Sequence, residues 1–466
     1  MIHNSKLISN IDVYIFSGNL NMLANISKYK TPAFLPILNK SILSYQLEFL
    51  ERNNIKYFKL ITYEEHRHVF EEFFNQNIQR LKFEVIYLPS TEEETDIFSL
   101  IKDTITKNNF ILISCDSILN FDLFEFIDNH FEKKSLVSFI LNDNFSNISN
   151  KKLSFMKDNN QLSLYYVNNE DCIKENKRNI NEENNLKKVE YCQIVDVEEK
   201  NNLKIQKNTL RHCKNLKLLY AYEDISFYIF NKNIFKIIES EQFKEVKQKK
   251  SINNLSNDFI PFLINKTYSK TYNEMLNTNK NEKIRISINT KIIDKNNEEN
   301  EFIYKIYDFP SLFLTIEEIQ KPYDKINEIF FQTEKNLKHY FSNFANLIND
   351  NLKNNKKFNE GIKEIQNMSE DCYIADGNTV FNSDCLITKV VSGKNLQVDE
   401  KSKIINCLIF DDVKIGKNCK IINSIIGENC IIEDNCELNE CIVETNYKVE
   451  TNTKKNGELI NEYNYN

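Results

Sequence analysis

The chain has 466 residues, a formal net charge of −7 and a sequence pI of about 5.7. This length predicts more than one domain and allows a sizeable core. The acidic balance argues against a nucleic acid or an anionic membrane surface as a direct partner. No apolar run approaches the roughly 18 residues that span a bilayer, and the N-terminus lacks the apolar segment of a signal peptide. We therefore expect a cytosolic protein.

Eleven cysteines raise the question of a metal site, but no Cys-x-x-Cys pair occurs. Seven of the eleven follow residue 371, and several recur at regular intervals there. Buried free cysteine behaves as a small hydrophobic side chain. The sequence therefore favours packing over zinc binding, and the odd cysteine count is typical of a reducing compartment.

The N-terminal part alternates apolar strands with amphipathic helices. The predicted strands are Ile11–Ser17, Lys56–Thr62, Phe83–Leu88, Phe110–Cys115, Leu136–Leu141 and Asp224–Asn231, and the predicted helices are Ser41–Arg52, Glu64–Gln76, Thr95–Thr106, Phe121–Phe131 and Ile234–Glu239. Such alternation predicts a Rossmann-like α/β domain with a mostly parallel sheet. Ligands of these sheets bind at the carboxyl ends of the strands, where the loop after Ser17 and Asp116 lie.

Polar segments interrupt this domain, which we place at residues 1–309. Two Asn/Lys/Glu-rich stretches near 168–188 and 278–300 are predicted insertions, the first of them disordered and the second with a possible strand at Ile284–Ile288. Residues 310–370 carry apolar residues at helical spacing and are predicted to form a helical linker.

Residues Cys372–Val449 repeat with a period of 17. Three columns of mostly aliphatic residues, 6, 6 and 5 residues apart, recur in register: Ala375, Ser392, Ile409, Ile426 and Val443; Phe381, Val398, Ile415, Ile432 and Val449; Ile387, Ile404, Ile421 and Leu438. Hexapeptide periodicity predicts a left-handed parallel β-helix at residues 371–450, followed by a tail at 451–466. Gly393, Gly416 and Gly427 lie between columns, where we expect corners with positive φ.

Several strings resemble the gamma subunit of eukaryotic translation initiation factor 2B. They are Phe34–Glu51 (FLPILNKSILSYQLEFLE), Thr95–Leu100, Phe110–Leu119 (FILISCDSIL), Ser256–Leu263 (SNDFIPFL) and Ser311–Gln320. Bacterial sugar-nucleotide pyrophosphorylases share the same combination of a nucleotidyltransferase-like domain and a left-handed β-helix. The resemblance covers the frame of the N-terminal domain and nearly all of the repeat.

Compared with active nucleotidyltransferases, the pocket looks degenerate. The loop after Ser17 has one glycine, Gly18, and no arginine; Pro32 stands at the position of the catalytic lysine, and Lys28 and Lys30 are out of register. Asp116 matches the first metal-binding carboxylate and Asp258 more loosely the second. The resemblance thus implies a vestigial nucleotide pocket of Gly18, Asp116 and Asp258, with no catalytic residue, no metal and no cofactor.

The expected function is that of a non-catalytic subunit of the guanine-nucleotide exchange factor for translation initiation factor 2. The expected partners are the epsilon subunit, the other subunits of that complex and initiation factor 2 itself. The sequence after Val449 leaves no room for the helical exchange domain of the epsilon subunit, which favours the gamma subunit. Exchange requires only differential binding of the nucleotide-free state, so a degenerate pocket is compatible with it.

Three alternatives stay open at this point. The first is a sugar-1-phosphate nucleotidyltransferase, and the second is an unrelated scaffold. The third is a hexapeptide acyltransferase, which ranks last because the repeat contains no histidine. His66 and His68 form a His-x-His pair, but residues i and i+2 of a helix do not share a face, so a surface position is favoured over a metal site.

Overall fold

The structure is a computed structural model that describes residues 7–18, 31–37, 40–77, 81–88, 97–143, 164–168, 194–195, 216–220, 223–250, 255, 259–266, 269–276, 288–294, 302–305, 372–375 and 377–461. The chain divides into two compact units, an α/β unit that contains the main sheet and a second unit that contains the β-helix and also residues 18–44 and 306–309, and each is described by itself. The predicted linker at 310–370 lies outside the described residues. Among the described residues, no helix is long and apolar enough to cross a membrane.

The α/β unit contains a seven-stranded sheet with the order β13-β8-β12-β6-β1-β4-β5. Strand β12 runs antiparallel to its two neighbours and every other pair is parallel. The strands of this part of the chain are β1 (Ile11–Ser17), β2 (Pro36–Ile37), β3 (Lys40–Ser41), β4 (Tyr57–Tyr63), β5 (Lys82–Leu88), β6 (Asn109–Ser114), β7 (Ser117–Asn120), β8 (Val137–Asp143), β9 (Leu164–Asn168), β10 (Ile194–Val195), β11 (Leu216–Tyr220), β12 (Glu223–Asn231), β13 (Ile288–Asp294) and β14 (Phe302–Lys305). The sheet is the predicted Rossmann-like core.

Eight α-helices are described, and the first five of them overlap predicted helices. They are Ile42–Arg52, Arg67–Asn77, Ile97–Lys102, Leu123–Glu132, Ile234–Ile238, Glu241–Lys250, Ile260–Lys266 and Lys270–Leu276, with short 3-10 turns at Pro32–Phe34 and Glu64–His66. Helix Leu123–Glu132 begins after Asp122, whose carboxylate accepts hydrogen bonds from the N–H groups of Phe124 and Glu125. Such a cap satisfies N–H groups that have no partner within the helix.

Helix Glu241–Lys250 was not predicted, because its sequence is almost entirely polar. It is capped by Ser240, whose Oγ accepts a hydrogen bond from the N–H of Phe243 at 3.2 Å. Phe243 is buried against Phe259 and Phe262, with ring centroids 5.5 and 5.2 Å away. The Ser240 cap and the buried Phe243 ring therefore stabilise this helix despite its polar sequence.

Strand β13 lies within the stretch 278–300 that was predicted to be a polar insertion. It pairs in parallel with β8 over seven residues and forms one edge of the main sheet. Its apolar residues are Ile288, Ile292 and Ile293, and the polar residues between and around them hid the strand in the sequence. The possible strand at Ile284–Ile288 therefore ends at the residue where the observed strand starts.

The β-helix stacks short parallel strands on three faces. These strands are β15 (Tyr373–Ile374), β16 (Val380–Phe381), β17 (Leu386–Ser392), β18 (Gln397–Val398), β19 (Lys403–Ile409), β20 (Lys414–Ile415), β21 (Lys420–Ile422), β22 (Ile425–Ile426), β23 (Ile431–Ile432), β24 (Glu437–Asn439), β25 (Ile442–Val443), β26 (Lys448–Val449), β27 (Lys454–Asn456) and β28 (Leu459–Ile460). Two of the predicted columns pair as expected, for example Ile387 with Ile404 and Phe381 with Val398. Inward residues of all coils form one apolar core.

The structure differs from the predicted repeat at both ends. Ile374, not Ala375, pairs with Ser392, so the first coil is one residue out of the 17-residue register. At the other end, β27 and β28 pair with the preceding coil, so strand pairing extends to Ile460, into the segment expected as a tail.

The corners of the β-helix explain its many asparagines. Positive φ angles recur at intervals of 17 residues, for instance at Asn395, Asp412, Asn429 and Asn446. Asparagine tolerates this left-handed conformation better than most residues. Its side chain also bonds to the next coil, since Asn395 Nδ2 donates to Asp412 Oδ1 at 2.8 Å.

The glycines have a different role from the one expected. Gly393, Gly416 and Gly427 do not have positive φ. A Cβ on Gly393 would lie 2.7 Å from the N atom of Asp411 and 2.8 Å from the carbonyl carbon of Phe410, and it would overlap Asp411 Oδ1. That Oδ1 accepts a hydrogen bond from the N–H of Lys394 at 2.7 Å. Glycine is therefore needed for close approach between coils.

The cysteines of the β-helix lie in its core and are buried. The thiols of Cys385, Cys419 and Cys430 each donate to the carbonyl oxygen 14 residues further on, at 3.0, 3.0 and 2.9 Å. Ser402 Oγ makes the same bond at 2.7 Å. Burial raises the pKa of the Cys430 thiol to about 12, which makes it a poor nucleophile. The recurring cysteines thus fill space and satisfy backbone carbonyls.

A buried polar cluster lies at the opposite end of strand β6 from Asp116. His130 is 1% exposed, with Nδ1 2.7 Å from Ser138 Oγ and Nε2 3.2 Å from Asn109 Oδ1. Burial lowers the pKa of His130 to about 3. The folded protein therefore holds this imidazole neutral.

We predict that Gly393→Ala destabilises the β-helix by about 1–3 kcal/mol, because the new methyl group meets the backbone of the next coil. Urea unfolding followed by circular dichroism measures this loss. Gly377→Ala is the matched control, since its nearest contacts would be at 3.2 Å. Equal losses in the two variants would contradict this account.

We also predict that His130 makes stability depend on pH. In the unfolded chain its pKa is about 6.5, so below this pH the unfolded state binds a proton that the folded state does not. Stability is therefore fully present above about pH 6.5 and falls as the pH drops towards the folded pKa, by about 1.4 kcal/mol between pH 7.5 and 5.5. His130→Gln should reduce this loss by that amount in urea titrations at the two pH values. The control His68→Gln, which changes an exposed residue, should leave the loss unchanged.

Candidate functional site

The candidate site lies at the carboxyl edge of the two central strands, β1 and β6. The strands pair in parallel, with Phe16 opposite Ser114. The N–H of Cys115 then donates to the carbonyl of Phe16 at 2.8 Å, which extends the pairing one residue beyond β6. Gly18 follows the last residue of β1, and Asp116 follows this bond in a two-residue turn. Two of the three predicted pocket residues thus follow adjacent strand ends.

Polar side chains line this edge inside the α/β unit. Asp116 is fully buried, as are Gln46, Ser17, Thr62, Ser114 and Ser117. Within the described part of the chain, four polar atoms here make no hydrogen bond: Gln46 Oε1, Thr62 Oγ1, Ser114 Oγ and Ser117 Oγ. Buried polar atoms without partners are costly, and native proteins retain them mainly where they have a role. The polar side chains at this edge therefore indicate a functional role rather than a role in packing.

The turn that carries Asp116 is held from the helix side by Gln46. This residue comes from helix Ile42–Arg52, and its Nε2 donates to the carbonyl of Ser114 at 2.7 Å and to that of Ser117 at 2.9 Å. The two carbonyls flank Cys115 and Asp116 on either side. No local sequence pattern indicates this contact, which spans 68 to 71 residues along the chain.

The Cys115 thiol lies beside Asp116 but is not poised to react. Burial and the neighbouring Asp116 raise the pKa of this thiol far above its usual range, and a hydrogen bond with Ser17 lowers it only partly. A thiol that stays protonated is a poor nucleophile. Cys115 therefore acts as a packed part of the turn.

Acidic residues that the sequence analysis did not select also lie at this edge. Strand β13 ends at Asp294 and β8 ends at Asp143, and the backbones of these two residues are paired. By sheet order, β13 is three strand spacings from β6, about 14 Å. The signal was present in the sequence, because Ile292-Ile293-Asp294 repeats the pattern of an apolar strand that ends in aspartate.

Some of the remaining candidates lie outside the described residues, and the others are Pro32 and the His-x-His pair. Asp258 is outside the described residues, as are Lys28 and Lys30. Pro32 is buried at the start of the 3-10 turn Pro32–Phe34. His66 is buried and His68 exposed, so the His-x-His pair does not share a face. Burial also lowers the pKa of His66.

The donor atoms at this edge suit a hard cation. Asp116 supplies a carboxylate, and the hydroxyl and amide oxygens without partners are further hard donors. Mg²⁺ prefers such oxygen ligands, and it takes one or two carboxylates together with substrate phosphates. Among the described residues, no group of three or more His, Cys, Asp or Glu side chains converges on one point. The edge therefore fits a metal that is completed by a phosphate ligand rather than a closed protein site.

Comparison with known proteins gives two matches along the chain. Residues 17–147 match the family described as nucleotidyl transferase, and residues 368–463 match the family described as GMPPB C-terminal domain. The first match begins at Ser17, the last residue of β1, and includes strand β6 of the main sheet, and the second covers the β-helix. No curated protein matches the sequence.

These matches contradict the expected function in translation initiation. A non-catalytic subunit of the exchange factor for initiation factor 2 was the wrong interpretation, and the expected partners, namely the epsilon subunit, the other subunits of that complex and initiation factor 2, were wrong with it. The nucleotidyl transferase match agrees with the first alternative left open by the sequence.

The non-catalytic interpretation depended on the glycines and the catalytic lysine that are missing from and after the loop that follows Ser17. Their absence does not exclude catalysis, for physical reasons. Every residue except proline supplies a backbone N–H, so a loop with the single glycine Gly18 still contains donors for phosphate. A lysine ammonium sits on a flexible four-carbon stem, so Lys30, two positions before Pro32, still provides a cation in the same segment. Missing motif residues were therefore weak evidence against catalysis.

We predict that Cys115 resists alkylation in the folded protein. Iodoacetamide at pH 8 should leave it unmodified over a period that fully modifies the protein in guanidinium chloride, because burial keeps the thiol protonated and inaccessible. Mass spectrometry of the peptide that contains Cys115 measures the reaction. Rapid modification of the native protein would show that the turn is open.

Proposed function

We propose that this protein is a sugar-1-phosphate nucleotidyltransferase of the GDP-mannose pyrophosphorylase type. In this reaction a phosphate oxygen of the sugar 1-phosphate attacks the α-phosphorus of a nucleoside triphosphate. A new P–O bond forms, the bond between the α-phosphorus and the bridging oxygen breaks, and pyrophosphate leaves. The products are a nucleotide sugar and pyrophosphate.

The observation that carries this proposal is the order of the two family matches. A nucleotidyl transferase match at 17–147 precedes a GMPPB C-terminal match at 368–463 in one chain. The buried Asp116 at the end of β6 supports it, since nucleotidyl transfer needs a carboxylate where the phosphates bind. The position at the carboxyl edge of a parallel sheet is also where such ligands bind.

Each part of the edge has a role in this proposal. The backbone after Ser17, beginning with Gly18, offers N–H groups to the phosphates. Asp116 would hold Mg²⁺, and Asp258 and Asp143 are the candidates for a second carboxylate. When bound, Mg²⁺ neutralises charge on the phosphates and orients them for in-line displacement. Lys28 and Lys30 are the candidate cations for the charge that develops on the departing pyrophosphate.

The test is pyrophosphate release from the purified full-length chain with Mg²⁺, a nucleoside triphosphate and a sugar 1-phosphate. GTP with mannose 1-phosphate is the first pair, followed by the other nucleotides and by glucose 1-phosphate. We expect release that requires both substrates. Asp116→Asn should lower the rate by about 100-fold or more, because a neutral amide binds a divalent cation poorly.

Asp122→Asn is the matched control for this experiment. Asp122 is exposed and caps helix Leu123–Glu132, and asparagine caps a helix as well as aspartate does. Its activity should equal that of the wild type. Absence of pyrophosphate release with every substrate pair, from protein with an intact circular dichroism spectrum, would overturn the proposed function.

A further inference from the structure

We propose that Gln46 is a positioning residue for Asp116, and that it sets the affinity of the site for the divalent cation. This inference rests on the proposed function, because it treats Asp116 as the carboxylate that holds the metal. Gln46 has no place in the reaction itself. It acts through the turn of Cys115 and Asp116.

The geometry of the carboxamide supports this role. Gln46 is fully buried, and its single Nε2 bridges the carbonyls of Ser114 and Ser117 at 2.7 and 2.9 Å. An amide nitrogen has two hydrogens in one plane, so both are used in holding the two ends of the same turn. A third bond, from the N–H of Cys115 to the carbonyl of Phe16, fixes the turn to strand β1. Three hydrogen bonds thus hold a two-residue turn.

The other half of the carboxamide argues against a role in packing alone. Gln46 Oε1 is buried and makes no hydrogen bond within the described residues. A polar group that only filled space here would be replaced at lower cost by an apolar one, since an unsatisfied buried acceptor is unfavourable by about 1–3 kcal/mol. The two carbonyl contacts are therefore the feature that makes an amide necessary at this position.

Holding the turn matters because metal ligation is sensitive to geometry. Mg²⁺ demands nearly octahedral coordination with short, fixed distances to oxygen. Residues that orient a metal ligand without touching the metal typically change affinity by about 10- to 100-fold when they are lost. A carboxylate on a two-residue turn depends on the turn for its orientation, and Gln46 supplies two of the three bonds that define it.

Two variants remove the donors while keeping the shape of the side chain. Gln46→Met has a similar length and volume, and Gln46→Glu is isosteric but accepts hydrogen bonds when it is ionised. The first readout is Mn²⁺ binding to the full-length protein, measured as the loss of the free Mn²⁺ signal in electron paramagnetic resonance. We expect Kd to rise by about tenfold or more in both variants.

Asn109→Leu is the matched control. Asn109 is a buried amide at the other end of strand β6, where its Oδ1 accepts from Asn231 Nδ2 at 2.9 Å. Its loss should lower stability but leave Mn²⁺ affinity unchanged. A variant that merely weakens the fold would therefore behave like Asn109→Leu, whereas a positioning residue would not.

The second readout is alkylation of Cys115, which reports on the turn directly and needs no activity. We expect Cys115 to become reactive in the Gln46 variants and to stay protected in Asn109→Leu. If Cys115 stays protected, or if Mn²⁺ affinity is unchanged while Asp116→Asn abolishes binding, the role of Gln46 is wrong and the proposed function stands. If Asp116→Asn itself leaves Mn²⁺ binding intact, Asp116 is not the metal ligand, and both the role of Gln46 and the metal step of the proposed function fail.

Discussion

One backbone hydrogen bond underlies the candidate site: the N–H of Cys115 donates to the carbonyl of Phe16 at 2.8 Å. It continues the pairing of β1 and β6 beyond the last residue of β6 and decides where the chain turns. Asp116 is placed by that turn, and Gln46 holds the turn from the other side. The chemistry of the edge therefore depends on main-chain geometry first and on side chains second, because a carboxylate can hold a phosphate-bound metal only if its backbone is fixed.

The β-helix obeys a similar constraint. Each coil turns sharply at its corners, and the carbonyl and N–H groups exposed there must find partners. Asparagine adopts the positive φ angles of the corners, and glycine allows close approach between coils. Inward thiols donate hydrogen bonds to backbone carbonyls. The many cysteines of the β-helix thus provide thiols that donate hydrogen bonds to its backbone carbonyls.

Residues that are present at a site are stronger indicators of its function than residues that are missing from a motif. The buried aspartate at a strand end was a positive feature, and the structure places it where it was expected. The case against catalysis was built on missing glycines and a displaced lysine in the loop after Ser17. The glycines serve to present backbone N–H groups to phosphate, and the lysine supplies a positive charge. Other positions can supply both the N–H groups and the cation. Only the arrangement of the whole chain, with its two family matches, corrected that judgement.

The sequence by itself determined every strand of the main sheet except β13, five of the eight described helices and the 17-residue repeat, because apolar periodicity reflects burial directly. It also placed Gly18 and Asp116 at the ends of their strands. Only the tertiary structure revealed the helix Glu241–Lys250, the shift from Ala375 to Ile374 and the pairing of β13 with β8. It alone revealed Gln46 as the residue that holds the turn. These features depend on contacts between residues far apart in the chain, such as Phe243 with Phe259 or Gln46 with Ser114, and local patterns do not encode such contacts.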